Sequence, residues 1–221
     1  MWVSGALRIK NIGFSIDRKT GEITAKPVTV EVRTDTWHHW LRACYEACDE
    51  SAAAREETIG ADDAQFQASV EREFRAGMQA IAASAFALDA FYAAVVEHAP
   101  AAKVVVARGR AKTIVATLRS AFVLTNAQGQ VAARLLRDVF RFRDWAVHPP
   151  ASFAEPLAHP AYGIGMDRRF SIFRVENARS ARDGVHQLLW VLLQRPRERF
   201  AELSEWAEAG KSLIDDPEAV S

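Results

Sequence analysis

The sequence predicts a mainly α-helical, up-and-down bundle preceded by a β-hairpin. Apolar residues recur at helical spacing through most of the 221 positions, strict alternation is confined to the stretch between Leu7 and Val32, and glycine- or proline-bearing breaks divide the helical part into segments. With 49% apolar and 10% aromatic residues, a chain of this length has enough apolar surface to bury a full core.

Each element follows from its own pattern. Leu7, Ile9, Phe14 and Ile16 alternate before a turn-rich segment at 17–22, and Ile23, Val28, Val30 and Val32 alternate after it, which is a hairpin signal. Asp35 or Thr36 caps a helix over 37–54 that carries Trp37, Trp40, Leu41, Cys44 and Cys48 on one side. After Gly60, Asp62 or Asp63 opens a long helix to about 98 with Phe66, Val70, Phe74, Met78, Ile81, Leu88 and Phe91 inward, bent near Gly77 and stopped by Pro100. A second helix over 110–124 turns Ile114, Val115, Leu118, Phe122 and Val123 inward, 126–129 reads as a break, and a third helix over 130–147 uses Val131, Leu135, Leu136, Val139, Phe140 and Ala146. The proline- and glycine-bearing stretch 149–169 is a loop of the length that accompanies function or a lid. A lone strand is expected over 170–175, then helices over 179–193 and 196–209, then an acidic tail. The expected division is a hairpin appendage over 1–35, a helical domain over 36–210 and a tail over 211–221.

Charge and cysteine content exclude some functions. The 28 basic and 28 acidic residues cancel, so the chain has no overall electrostatic footprint for coating nucleic acid, and any such contact must be local. Cys44 and Cys48 stand four apart on a helix, where a bridge is geometrically awkward, so they read as the thiols of a cytosolic protein. The N-terminal residues lack a basic and apolar leader pattern, and no apolar run is expected to approach the roughly 18–20 residues of a membrane span. The expectation is a cytoplasmic protein with no membrane contact.

Chemistry concentrates in Arg143-Asp144-Trp145-Ala146-Val147-His148, followed by Pro149 and Pro150. Arginine is a permanent charged fork matched to phosphate oxygens, and histidine moves protons near neutral pH, so the pair can attack a phosphodiester without a metal. In an ideal helix His148 would lie about 140° around from Arg143. The residue before a proline is pushed out of helical geometry, which frees the imidazole to swing back towards the arginine. Asp144 is placed to orient the imidazole or to pair with Arg141 or Arg143. Asp89, an acid within the apolar stretch 86–92, needs a partner, for which Arg143 or Arg134 is expected. Arg110, Lys112 and Arg119, at the start of the second helix, either steer a phosphate backbone or form a solvated face.

Other patterns carry less. His38 and His39 point about 100° apart on a helix and have no carboxylate pair at ligand spacing, so no metal is expected. Gly163 and Gly165 lack the strand and helix of a phosphate-cradling loop, and no nucleotide or thiol cofactor motif is present in the sequence.

The Arg143 to His148 spacing, the polar residue after the arginine and the helical setting resemble the R-x4-6-H motif of the HEPN superfamily, small all-α proteins that include metal-independent endoribonucleases of toxin and defence systems. The resemblance rests on a short motif and its helical frame, over roughly residues 62–195. It implies RNA as substrate, cleavage to a 2′,3′-cyclic phosphate and a 5′-hydroxyl, and no cofactor. His148 would act as proton carrier, Arg143 would hold the scissile phosphate, and Asp89 would resemble the acid that family hairpins place beside the motif. It further implies a homodimer that brings two motifs together, and an antitoxin or other regulatory protein as partner. A non-catalytic nucleotide-binding or interaction module is the alternative. Trp145, Trp190, Trp206 and Phe140 are expected to extend an apolar surface into a dimer partner.

Overall fold

The computed structural model describes residues 7–10, 14–16, 20–21, 23–25, 29–32, 35–105, 109–148 and 155–214. The chain divides into two compact units, Met1–Asp35 and Thr36–Ser221. In the first, strand β1 (Leu7–Lys10) pairs antiparallel with β4 (Thr29–Val32), and β2 (Phe14–Ile16) with β3 (Ile23–Ala25). Leu7 pairs with Val32 and Ile16 with Ile23, so the second pair is nested within the first along the sequence; most of the expected turn at 17–22 lies outside the described residues.

The second unit is mainly helical. Its elements are α1 (Trp37–Glu56), α2 (Asp63–His98), a 3-10 turn at Pro100–Ala102, α3 (Arg110–Ala121), α4 (Asn126–Val147), a two-residue hairpin of β5 (Leu157–Ala158) and β6 (Gly165–Met166), α5 (Arg168–Ile172), α6 (Val175–Leu193) and α7 (Ala201–Lys211). The Asp62 carboxylate accepts from the Gln65 amide at 2.9 Å and opens α2, the element against which α1, α3, α4, α6 and α7 all pack. The core centres on Trp37, Phe91, Phe122, Leu118, Leu189 and Leu192, each with at most 1% of its surface exposed. Part of α2 is apolar enough for its length to cross a membrane, contrary to the sequence expectation, because alanines rather than large residues carry the apolarity. In this fold 56% of that window is buried against other helices.

Several sequence expectations are corrected. No strand forms at 170–175: Asp167 accepts from the Arg169 amide at 2.8 Å and starts α5, which lays Phe170 against Phe74 at a centroid separation of 4.7 Å, and α6 begins at Val175. The expected break at 126–129 is the first turn of α4. Thr125 and Gln128 form a reciprocal capping box, so polar residues that resemble a loop here begin a helix. Helix α3 stops at Ala121 because Phe122 turns extended and bridges Pro196, while the Val123 amide donates to Arg195. Val123 consequently faces outward, Pro196 lies in the clip, and α7 starts only at Ala201. Trp40 is 41% exposed and stacks on Phe86 at the surface, and Val131 points to solvent. Cys44 and Cys48 are free and fully buried, against Ala80, Ala83 and Ala178. The tail beyond 214 lies outside the described residues.

Gly77 on α2 has a packing role. A Cβ there would stand 1.8 Å from the carbonyl oxygen of Phe173, so only glycine lets the chain entering α6 lie directly on α2.

A buried carboxylate fastens the same region. Glu73 Oε2 accepts from Arg55 Nε at 2.8 Å and from the Tyr162 hydroxyl at 2.6 Å, and its Oε1 accepts from the Val175 amide at 3.1 Å and from the second arm of the Arg55 guanidinium. The residue is 2% exposed. Arg174, which precedes α6, offers no capping side chain, so Glu73 satisfies an orphan donor of α6 from another helix and sets a negative charge at its N-terminus. Tyr162 is further held by the Arg55 guanidinium over its ring at 5.0 Å and by His159 stacked at 4.5 Å. The hairpin within the expected 149–169 loop is thus pinned to α1 and α2; residues 149–154 lie outside the described set.

Candidate functional site

Arg143 sits in the last turn and a half of α4, held from two sides. Its Nη1 lies 3.4 Å from Asp89 Oδ2 on α2, and its Nε and Nη2 donate to Asp144 Oδ1 at 3.2 and 2.7 Å. The guanidinium also lies over the Phe140 ring, 4.9 Å from its centroid. Asp89 accepts in addition from Arg110 Nε at 2.7 Å. Of the two partners expected for Asp89 the structure therefore brings Arg143, adds Arg110, and leaves Arg134 out. The Asp89 and Arg143 side chains are each 22% exposed, so water still reaches this three-membered pair.

Arg110 arrives there through a backbone device. Gly109, at φ 88°, occupies the position before α3 in a conformation that side chains avoid, and this turns the first residue of α3 towards α2. Asp144 pairs with Arg143 rather than with Arg141, which bonds instead to Asp138 at 3.2 Å and stacks over Phe142 and Trp145. Arg168 of α5 approaches the Trp145 ring at 5.6 Å and ties the end of α4 to the following segment.

His148 ends the helix. Its amide still donates to the Asp144 carbonyl at 2.7 Å, but its backbone has left helical geometry at φ −125°, ψ 70°, as its place before Pro149 requires. Its side chain is exposed, and no hydrogen bond joins it to Arg143 or to Asp144 among the described residues. The expected orientation of the imidazole by Asp144 is not formed.

Two adjoining cavities, of about 350 and 410 Å³, run between α3 and α4 and share Gly109, Ala111 and Arg137. The first contains Arg110, Arg141, Arg143 and Trp145; the second contains Lys112 and Arg119. The basic residues singled out on α3 thus line the same groove as Arg143. Arg119 is fixed there by Asn126 Oδ1 at 2.8 Å. Arg137, which lines both cavities, was not singled out from sequence; its place one helical turn before Arg141 is the signal that would have found it. His38 and His39, set aside as metal ligands, lie at adjacent positions on α1 with ring centroids 4.0 Å apart.

Fold and groove together define a helical-bundle protein with an arginine-lined cleft. No family model matches the chain, and neither a curated protein nor a solved structure matches it.

Proposed function

We propose that this protein is a HEPN-like, metal-independent endoribonuclease of the toxin or defence type, acting in the cytoplasm on RNA held along the groove between α3 and α4. The observation that carries the reading is the Asp89-held Arg143 in an arginine-lined cavity, five positions before a histidine freed by the end of its helix. In this mechanism Arg143 and Arg110 bind the scissile phosphate and stabilise its developing charge. His148 removes the proton of the ribose 2′-hydroxyl, that oxygen attacks phosphorus, and the bond to the 5′-oxygen breaks as that oxygen takes a proton from water, His148 then returning its own proton to solvent. The products are a 2′,3′-cyclic phosphate and a 5′-hydroxyl.

Separate His148→Ala and Arg143→Ala variants are expected to lose about 100-fold or more of RNA cleavage, the usual scale for a general base or a charge-stabilising donor, while keeping the far-ultraviolet signal of the wild type. Excess chelator is expected to leave the wild-type rate unchanged. Cleavage surviving in both variants, or requiring a divalent metal, overturns the assignment.

A second reading, a nucleotide- or RNA-binding module without cleavage, draws on the pairing of Arg143 with Asp144, since phosphate must displace a carboxylate already 2.7 Å away. It predicts Arg143-dependent binding with no product.

The catalytic reading also entails a homodimer that joins two motifs, with an antitoxin or regulatory protein as a further partner. Phe140 and Trp206 do not supply its surface, because both are buried in the core of the single chain, and Trp145 and Trp190 are half-buried; Val147, within the motif, is exposed. Light scattering over a dilution series is expected to give twice the chain mass at micromolar concentration. A strictly monomeric mass removes the composite site.

A further inference from the structure

We propose that a third cavity, formed by α1, α6 and the residues after α7, is a binding site for a small monocarboxylic acid with an apolar body. The inference is independent of the RNA reading. The cavity has a volume of about 260 Å³ and is lined by His38, Leu41, Arg42 and Tyr45 of α1, by His186 of α6, and by Leu213 and Ile214. The four α1 residues stand at i, i+3, i+4 and i+7, so they form one stripe of the helix, and three of them, His38, Arg42 and Tyr45, carry polar groups where an ordinary core face would be aliphatic throughout.

Its chemistry is one-sided. Leu41 and Ile214, each at most 6% exposed, together with Leu213 give an aliphatic surface that suits a hydrocarbon body. Among the described residues no aspartate or glutamate lines the cavity. Arg42 is exposed at the rim and has no ion pair or hydrogen bond among the described residues, unlike Arg55, Arg72, Arg110 and Arg143, each of which holds a carboxylate. Tyr45 and the Nδ1 of His186 are hydrogen-bonded to one another, and burial pushes the Tyr45 phenol up, so it keeps its proton and is the donor. That bond orients the His186 ring against the wall. Arg182 lies over the Tyr45 ring at 4.8 Å and is paired with Asp183, so its charge is already balanced outside the lining. The cavity therefore offers an unmatched guanidinium fork beside imidazoles and above an apolar surface. A carboxylate answers the fork bidentately, while the hydrocarbon part displaces water from the leucines and the isoleucine. Among the described residues a dianionic phosphate would meet one unmatched cation and an aliphatic surface, and a cation would meet no acid.

The test titrates the intact protein with sodium benzoate and sodium hexanoate, using benzyl alcohol and inorganic phosphate as matched controls, and follows the histidine ring resonances by NMR. Saturable shifts of His38 and His186 by both acids are expected, with neither control reproducing them and with His98 and His159 unmoved. Arg42→Met, a surface change that leaves the fold intact, is expected to weaken benzoate at least about tenfold, the scale of one charge-assisted contact. Leu213→Trp, which fills the cavity from its partly exposed wall, is expected to abolish the shifts with Arg42 in place. No saturable binding of either acid, equal binding by phosphate, or unchanged affinity in Arg42→Met overturns the proposal.

Discussion

Replacing Gly77 with alanine is expected to destabilise the protein by more than about 4 kcal/mol, which lies beyond the range of ordinary substitutions. Helix propensity alone argues for the opposite sign, since glycine inside a helix costs about 1 kcal/mol relative to alanine. The contact decides. An added Cβ would lie 1.8 Å from the Phe173 oxygen and 2.8 Å from its carbonyl carbon, and both atoms belong to backbone that cannot rotate away. To relieve the overlap, the chain leading into α6 must lift off α2, which strips packing from Phe173, 1% exposed, and disturbs the Val175 amide held by Glu73. For a chain of this size the melting midpoint should fall by roughly 8–16 °C, at about 2–4 °C per kcal/mol. Differential scanning calorimetry or urea unfolding reads it, and a midpoint equal to or above that of the wild type rejects the close-approach explanation.

Glu73→Ala is expected to cost about 3–5 kcal/mol, the scale of removing one partner from a buried ion pair. It leaves the largely buried Arg55 guanidinium without its main counter-charge, the Val175 amide without an acceptor and the Tyr162 hydroxyl without its bond. The conservative Glu73→Gln keeps the shape but loses the charge and turns one accepting oxygen into an amide donor that faces donors, so it sets an upper bound on how much of that loss is ionic. Burial pushes the Glu73 carboxyl up, but the hydrogen bonds from Arg55, Tyr162 and Val175 and the charge of Arg55 outweigh it and hold the group below its ordinary value of 4.5. A lowered folded value means the contribution is complete above the unfolded value and is lost as pH falls through the folded one. The stability gap between wild type and Glu73→Gln should accordingly hold from neutral pH to about pH 5 and close below it. Tyr162 moves the other way. Burial and the bond to Glu73 push its phenol up to about 12, so its contribution is complete below its ordinary value of 10 and disappears between there and about 12. Urea midpoints across pH give both limbs, and a gap that widens on acidification contradicts the charged assignment.

The helices were legible because their cause is local. Spacing and caps place α2 to within about a residue, and the alternation on either side of 17–22 anticipates the antiparallel pairing of β1 with β4 and of β2 with β3. The misplacements arise where side-chain bonds and packing partners override composition and alternation. Asn126-Ala127-Gln128-Gly129 has the composition of a loop, and only the reciprocal bonds of Thr125 and Gln128 make it a helix start. Phe170-Ser171-Ile172-Phe173 alternates like a strand, yet Asp167 and the Phe74 ring of α2 draw it into a turn of helix. For the groove, Arg143 and Asp89 were legible because chemistry-bearing residues stand out from an apolar background. Arg137 was not, being one cation among many on a polar face. Glu73 was invisible for the same reason: within Val70-Glu71-Arg72-Glu73 nothing local separates the buried acid from its exposed neighbour, and its partners come from 18, 89 and 102 residues away.

Those separations bear on how the chain can be divided. A carboxylate whose ligands come from α1, the β5–β6 hairpin and the first residue of α6 is fully satisfied only when all three have been made and brought together. Any fragment ending before Val175 leaves Glu73 short of an acceptor's full complement, and closure of a loop of that length must precede the bond that rewards it. The helical unit is in this respect indivisible: α1 and α2, although the most extensively packed pair, are completed by the last third of the sequence, so the unit gains its stability as a whole and not by accretion from the N-terminus.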